Sequence, residues 1–294
     1  MDVSVIYVSW NSAQEILESI DSIRQHARDI EYEIIVVDNA SVEDQSALRQ
    51  PGITFIRNTT NAGFGAGCNL GASVATGRYY LFLNPDTRVQ DDILSELRDF
   101  MDQHPAAGAC GSKIIEPDGS IHFGAGRSLL SLKNDFLEHS TLAFRFPSNR
   151  LFAAPYYSTW DHDSTRTVGT LLGACMMLRA SVFKRIAGFD EKFFLYCEEV
   201  DLCKRVHDAG YDVYYVHTCR ILHTSKHSTI VFFGGMEKMV LQYLVSEQYY
   251  FRKHYGQIYA LLWRAMIFFV YTVRCGLSRK TQYLKYAKWA LHHD

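Results

Sequence analysis

The sequence predicts an α/β fold built on a parallel, doubly wound sheet. Three observations carry that expectation. Short apolar runs alternate with stretches of helical periodicity through the first hundred or so residues, the pattern of βα units. The runs at 33–37 and 79–83 each lead into a polar turn that carries a carboxylate, Asp38 and Asp86. The 294 residues are 48% apolar and 21% charged, ordinary for a globular chain with a sizeable core and unlike disordered, collagenous or coiled-coil sequences.

Residues 3–8 (VSVIYV) read as a buried strand, and Asn11-Ser12 supplies a helix cap before Ile16, Leu17, Ile20 and Ile23 recur at helical spacing. EIIVV at 33–37 is a second strand and 54–56 a third. Residues 68–75 read as a helix, YYLFL at 79–83 as a strand and 93–101 as a helix. Residues 116–167 open with the turn Pro117-Asp118-Gly119-Ser120 and show no clear period, so they are expected to be loop-rich cover. A strand at 171–179, helices at 181–186 and 200–209, and short strands at 211–216 and 220–222 follow. From about Gly235 the chain reads as helices. The expected division is a domain over 1–230 and a helical extension over 231–294.

The formal charge of −2 gives no basic field for a nucleic-acid partner. The average conceals a contrast: residues 252–294 hold eight Lys or Arg against one acid, so the tail carries +7 and the rest −9. Seven scattered cysteines without a CxxC pair argue against a disulfide framework or structural zinc and for reduced thiols. The start, MDVSVIYVSWN, has no basic region or long apolar stretch of a signal peptide, and the expected location is cytoplasmic. The most apolar stretch, 258–277, contains Arg264 and Arg274; a helix lying on a membrane surface is expected there rather than a span.

Several motifs carry chemistry. In doubly wound sheets ligands bind beyond the carboxyl ends of the strands, which places Asp38 and Asp86 on the functional rim. Residues 61–67 (NAGFGAG) precede the expected helix, where such a turn either presents N–H groups to phosphate or is a plain tight turn. Cys68 and Leu70 break the dinucleotide fingerprint, and no Walker lysine follows. Asn84-Pro85-Asp86 either ends a strand as an Asx turn or holds a hard divalent cation against a diphosphate. Glu198, Glu199 and Asp201 follow the aromatic run at 193–196; they suit a helix N-terminus or a general base with a raised pKa. His217, His223 and His227 lie in one segment, and a single imidazole becomes a metal ligand only with a second ligand beside it. Neither a GxSxG elbow nor an HExxH zinc helix occurs.

Seven pieces in one order, VSVIYVSWNS, IIVVDNAS, NAGFGAGCNLG, YLFLNPDT, LLGACMMLR, GFDEKFFLYCEEVDLCKR and ILHTSKHS, resemble the family-2 glycosyltransferases over Val3 to about Ser228. The Ser9-Trp10-Asn11 and Asn84-Pro85-Asp86 forms are most similar to the rhamnosyltransferase-type members of bacterial surface-polysaccharide synthesis. The resemblance implies a GT-A nucleotide-sugar-binding fold, a mostly parallel sheet with helices on both faces. It implies that Tyr7, Val8, Ser9 and Asn11 line the donor pocket, with Asp38 reading the pyrimidine or ribose. Asn61, Gly63 and Asn69 match the nucleotide loop. Asn84 replaces the first Asp of the DXD motif, leaving Asp86 as main ligand of Mg²⁺ or Mn²⁺ with His223 approaching the metal or diphosphate. Glu199 stands in place of the family's catalytic Asp, with Glu198 and Asp201 as alternatives.

The implied reaction is an inverting, metal-dependent transfer of a sugar, L-rhamnose from dTDP-L-rhamnose first, to a hydroxyl of a glycan or polyprenyl-diphosphate-linked acceptor. A UDP-hexose or UDP-N-acetylhexosamine transferase of the same fold is the alternative. Aromatic residues interleave with the basic residues of 252–294. On one continuous helix Arg264, Arg274 and Lys285 would share a sector of about 80°, suited to an anionic leaflet on the inner face of the cytoplasmic membrane. Packing on its own domain or in a homodimer is the other expectation for this tail. Two other classes compete. A nucleotidyltransferase would want a basic glycine-rich loop near the N-terminus, and no Lys or Arg precedes Arg24. A non-catalytic nucleotide-sugar or glycan-binding relative is disfavoured by Asp86, Glu199 and His223 together.

Overall fold

The computed structural model describes residues 1–224 and 232–292. His227 and the expected 230/231 boundary lie outside the described residues. The chain forms two compact units. The first comprises Met1–Arg127, Asp161–Phe194 and Glu198–Lys226; the second comprises Ser128–Trp160, Leu195–Cys197 and His227–Asp294. This division differs from the sequence expectation in giving 128–160 and 195–197 to the helical unit.

The first unit is built on a nine-stranded sheet. Its strands are β1 (Val3–Ser9), β2 (Tyr32–Asp38), β3 (Ile53–Arg57), β4 (Tyr79–Leu83), β5 (Thr87–Val89), β6 (Ala107–Ile115), β8 (Arg166–Thr167), β10 (Cys175–Arg179) and β11 (Asp212–His223). A separate ribbon pairs β7 (Gly126–Arg127) with β9 (Thr170–Leu171). The main order is β3-β2-β1-β4-β10-β6-β11-β5, with β8 on β11. The β3-β2-β1-β4 half is parallel, as the βα alternation predicts. β10 then runs antiparallel to both β4 and β6, and β11 is parallel to β6.

The helices of this unit are α1 (Ala13–His26), α2 (Phe64–Val74), α3 (Ile93–Gln103), α6 (Ala180–Arg185) and α7 (Glu198–Asp208). α2 lies on β1 and β2, and α3 on β6 and β11. The core is aromatic and β-branched: Tyr7, Tyr79, Tyr80 and Phe82 are fully buried.

Four local expectations need correction. The strand expected at 171–179 is two, β9 and β10, separated at 172–174. The strands expected at 211–216 and 220–222 are one strand, β11, with an irregularity between Val216 and Arg220 that mimics a turn in the sequence. α2 begins at Phe64, so Gly65 and Gly67 lie inside a helix; a Cβ on Gly67 would meet Val8 Cγ1 at 2.7 Å, which is why the helix can sit so close on β1. Ser12 occupies the N-cap of α1 without a side-chain cap bond; its Oγ takes the Trp10 N–H instead.

The second unit holds α4 (Leu132–His139), α5 (Leu142–Arg145), α8 (Met236–Tyr255), α9 (Gln257–Ser278) and α10 (Gln282–His292). α4 and α5 replace part of the expected loop-rich cover. Trp263, Tyr271, Tyr286 and Trp289 are buried, with the two indoles edge to face at 6.2 Å. The single basic sector expected on one continuous helix is not formed. Arg279, at φ +56°, ends α9 and separates it from α10. Arg264 is buried, its Nε donating to the Ala290 carbonyl at 3.0 Å. Arg274 donates to the His139 carbonyl and the Tyr283 hydroxyl, and Lys285 pairs with Glu237. By length and composition α9 is long and apolar enough to cross a membrane, and a third of its most apolar window is buried.

Candidate active site

The carboxyl ends of β1, β2 and β4 converge as the parallel half of the sheet requires. Asp38 closes β2 and is fully buried. Its Oδ1 accepts the Ser41 N–H at 2.9 Å. Its Oδ2 lies 3.4 Å from Arg57 Nε as an ion pair, yet no donor is aligned on it. A buried carboxylate oxygen in that state favours a ligand that brings an N–H or O–H.

Asn39, which sequence reasoning passed over, organises the nucleotide loop. Its Nδ2 donates to Asn61 Oδ1 and to the Gly63 carbonyl, both at 2.9 Å. Asn61 Oδ1 also accepts the Gly63 N–H at 3.0 Å. Gly63 has φ +94°, and a Cβ there would stand 2.2 Å from the Phe194 carbonyl oxygen. Only glycine meets both demands.

The other expected pocket residues have structural work. Tyr7 is buried with its hydroxyl on Ser19 Oγ at 2.9 Å. Ser9 Oγ donates to Gln45 Oε1 at 2.7 Å. Val8 packs on Gly67. Asn11, at φ +54°, accepts the Val42 and Glu43 N–H groups and so holds the loop after β2. Asn69 exchanges two hydrogen bonds with the Phe189 backbone and donates to Glu191, tying α2 to that segment.

Asn84-Pro85-Asp86-Thr87 is a tight turn between β4 and β5. The Asn84 carbonyl accepts Thr87 Oγ1 at 2.7 Å, and the Asn84 N–H donates to the Ala174 carbonyl at 3.0 Å. The Asp86 carbonyl accepts the Thr224 N–H, and Asp86 Oδ1 lies 3.2 Å from His223 Nε2. The structure therefore brings Asp86 and His223 together across 137 positions of sequence. The His122 ring lies 6.5 Å from His223, centroid to centroid. Burial pushes the His122 pKa down, with Glu116 opposing and His223 reinforcing the shift. Neither Glu116 nor His122 stood out in the sequence, because both fall in the irregular stretch. His217 belongs elsewhere: its Nδ1 is 2.9 Å from Thr165 Oγ1.

α7 opens with the three acids, and their fates differ. Asp201 is fully buried and accepts Arg205 Nε at 2.7 Å, while Arg205 also donates to the Ile186 carbonyl. Glu198 is buried; desolvation, then the Glu199 charge, raises its pKa well above the ordinary range. Glu199 also has a raised pKa, through burial, with backbone N–H groups and Arg127 pulling the other way. Its Oε2 is covered and accepts no hydrogen bond. A Cβ on Gly173 would lie 3.7 Å from the Glu199 side chain. Glu199 thus borders the 172–174 turn that also receives the Asn84 N–H. Arg127, the last residue of β7, is a second contributor the sequence did not flag.

A hard carboxylate and an imidazole 3.2 Å apart fit adjacent ligands of a divalent cation, whose octahedral edge is about 3 Å.

The residues 4–186 match the model of glycosyl transferase family 2. The chain is 32% identical over 210 residues to the N-acetylglucosaminyl-diphospho-decaprenol L-rhamnosyltransferase of Mycobacterium tuberculosis, covering 67% of each protein. It is 29% identical over 245 residues to the rhamnosyltransferase WbbL of Escherichia coli K12, covering 79% of this chain and 87% of that protein. Among solved structures, it is similar to Staphylococcus aureus TarS 1–349 in complex with UDP, with TM-score 0.55, 15% identity and coverage of 92% and 80%. It is also similar to GalNAc-T7 with UDP, GalNAc and Mn²⁺, with TM-score 0.57, 13% identity, 76% of this chain and 43% of that one. With the family model spanning more than half of its length and the strand-end carboxylates in place, this chain belongs to glycosyl transferase family 2 and is a glycosyltransferase of GT-A fold.

Proposed function

We propose that the chain is an inverting L-rhamnosyltransferase that uses dTDP-L-rhamnose and a polyprenyl-diphosphate-linked glycan acceptor in cell-surface polysaccharide synthesis. The observation that carries the reading is the 3.2 Å pairing of Asp86 with His223 on the rim that also holds Asp38 and Glu199. The donor sugar and acceptor class are supported by the mycobacterial relative's name and by WbbL.

Asp38 Oδ2 accepts the imide N–H of the pyrimidine or a ribose hydroxyl, and Gly63 lets the nucleotide loop lie flat against residue 194. Asp86 and His223 would hold Mg²⁺ or Mn²⁺. When bound, that ion supplies Lewis-acid stabilisation for the charge developing on the leaving diphosphate. Glu199 takes the proton of the attacking acceptor hydroxyl. Its raised pKa makes it a stronger base than an exposed carboxylate. A single base and direct displacement invert the anomeric centre.

A lipid-linked acceptor needs an enzyme at the membrane surface. α9 turns Ile258, Leu262, Phe269 and Leu277 outward, 56–83% exposed, along one face, with exposed Arg252 before it and Arg279 and Lys280 after it. That apolar row between basic ends suits the headgroup region of an anionic leaflet, on the cytoplasmic side where the donor is found. Flotation with phosphatidylglycerol vesicles tests this: Phe269→Glu with Ile258→Glu should abolish recovery in the lipid fraction, and unchanged recovery contradicts it. A second copy on the same face would appear instead as a dimer that these changes dissociate.

Donor and metal are tested together by melting the protein with a panel of nucleotide sugars, with and without Mn²⁺ or Mg²⁺. A ligand at 100 times its Kd stabilises by about 2.7 kcal/mol. The reading requires a metal-dependent rise with dTDP-L-rhamnose that Asp86→Ala loses. A rise with UDP-sugars alone overturns the donor, and no rise with any nucleotide sugar overturns the function in favour of a non-catalytic relative.

A further inference from the structure

The helical unit contains a second cluster of ligating groups that the transfer reaction does not use. Asp135 and His139 stand one turn apart on α4, and Glu247 comes from α8. All three are buried, Asp135 and Glu247 completely. One ligand atom from each lies within 4.8 Å of the others. His139 Nε2 is 2.9 Å from Glu247 Oε2 and 3.7 Å from Asp135 Oδ2.

We propose that Asp135, His139 and Glu247 form a structural site for a divalent transition-metal ion, zinc first, which joins α4 to α8.

Four features support the site. First, tetrahedral zinc with bonds of about 2.0–2.1 Å has ligand-to-ligand edges of about 3.4 Å, and the His139 separations of 2.9 and 3.7 Å bracket that value.

Second, the donor set is of the right kind. Imidazole nitrogen and carboxylate oxygen are both zinc ligands, and three protein groups leave the fourth tetrahedral position to a water. A dication cancels two carboxylate charges that could not otherwise both be carried in an aromatic interior.

Third, the outer contacts hold the ligands as metal sites require. His139 Nδ1 meets the Tyr271 hydroxyl at 2.9 Å, so with Nε2 on the ion Nδ1 keeps its proton and donates to Tyr271. Trp263 Nε1–H donates to Asp135 Oδ2. Arg274 donates to the His139 carbonyl and fixes the end of α4.

Fourth, Asp135 Oδ1 is buried and has no donor, a state that costs roughly 1–3 kcal/mol for a polar group left unsatisfied. A positive ion or a retained proton answers that cost, and the experiment separates them.

The test uses the full-length chain carrying Asp86→Ala and no nucleotide, so that an ion at the proposed donor site cannot contribute and the two metal proposals fail independently. Metal analysis after gel filtration should find about one zinc per chain. Stripping with a chelator should lower Tm by several degrees, and zinc should restore it. Asp135→Asn and His139→Gln should each remove both the bound zinc and the response. Should either fail to fold, Co²⁺ in the otherwise unchanged chain serves: one equivalent should give the visible absorption of a tetrahedral ion, displaced by one equivalent of zinc. No retained metal together with no Tm response to Zn²⁺ or Mn²⁺ overturns the site. A zinc response of full size in both variants overturns it as well. An Asp135→Asn protein as stable as its metal-free parent identifies a proton shared between Asp135 and Glu247 instead.

Discussion

The two units place buried charge in different surroundings. On the sheet rim, carboxylates sit at strand or helix ends with capacity to spare: Asp38 Oδ2 and Glu199 Oε2 accept no hydrogen bond, and Asp86 faces His223. In the helical unit, His139 is held between Glu247 and Tyr271 and Asp135 takes the Trp263 N–H, although Asp135 Oδ1 accepts no hydrogen bond either. Strand ends deliver charge to an edge that a ligand can reach, whereas helix faces deliver it to an interior that must be neutralised. The first arrangement suits a reaction, and the second suits holding a fold.

That contrast can be broken at its strongest point by Asp86→Ala. The account requires kcat/KM to fall by about 10²–10³, the loss typical of one preorganised charge-stabilising group, with the metal-free Tm unchanged. A fall in Tm of the apoprotein with little loss of turnover would make Asp86 a structural residue like those of the helical unit.

Gly63→Ala sharpens the comparison within the sheet unit. The added Cβ meets the Phe194 carbonyl at a φ of +94°, so destabilisation of about 2–4 kcal/mol is expected in chemical denaturation. A near-neutral result would mean that the nucleotide loop moves freely away from residue 194.

Glu198 is the rim residue that most resembles the buried cluster, and it should behave accordingly. Its folded pKa is raised by burial and by Glu199. Its contribution to stability is therefore fully present below the unfolded carboxylate pKa and is lost as pH rises through the folded value. Glu198→Gln should then melt above the parent at pH 8, and the gap should close at pH 4. A gap that widens on acidification would contradict the burial argument.

The parallel half of the sheet was legible because its strands are apolar runs closed by polar turns, and Asp38 and Asp86 were found by that logic. β6 was not, although it lies buried between β10 and β11. It opens Ala-Gly-Ala-Cys-Gly-Ser, residues with little preference for a strand; packing against its neighbours decides its state. The antiparallel insertion of β10 is a property of chain topology that no local pattern encodes. α4 escaped because its core-facing residues include Asp135 and His139, which a polarity pattern assigns to the surface. The same masking hid the cluster: α4 and α8 lie a hundred residues apart, and only folding brings Glu247 to His139. Asn39 was overlooked beside Asp38 because an amide staple has no sequence signature of its own.

Glu199 and Asp201 offer the most direct measurement, since they share one helix turn and differ in what surrounds them. Turnover of dTDP-L-rhamnose with a lipid-linked acceptor should be followed against pH for the parent, Glu199→Gln and Asp201→Asn, alongside nucleotide binding. The account predicts that Glu199→Gln loses at least about 10²-fold in kcat while binding nucleotide normally. It predicts an acidic limb in the parent profile lying above the ordinary carboxylate range, as burial of Glu199 dictates. Asp201→Asn should lose stability through its Arg205 pair, by about 1–3 kcal/mol, yet turn over per folded molecule as the parent does. An active Glu199→Gln beside an inactive, folded Asp201→Asn would contradict the assignment of the base and move it to Asp201.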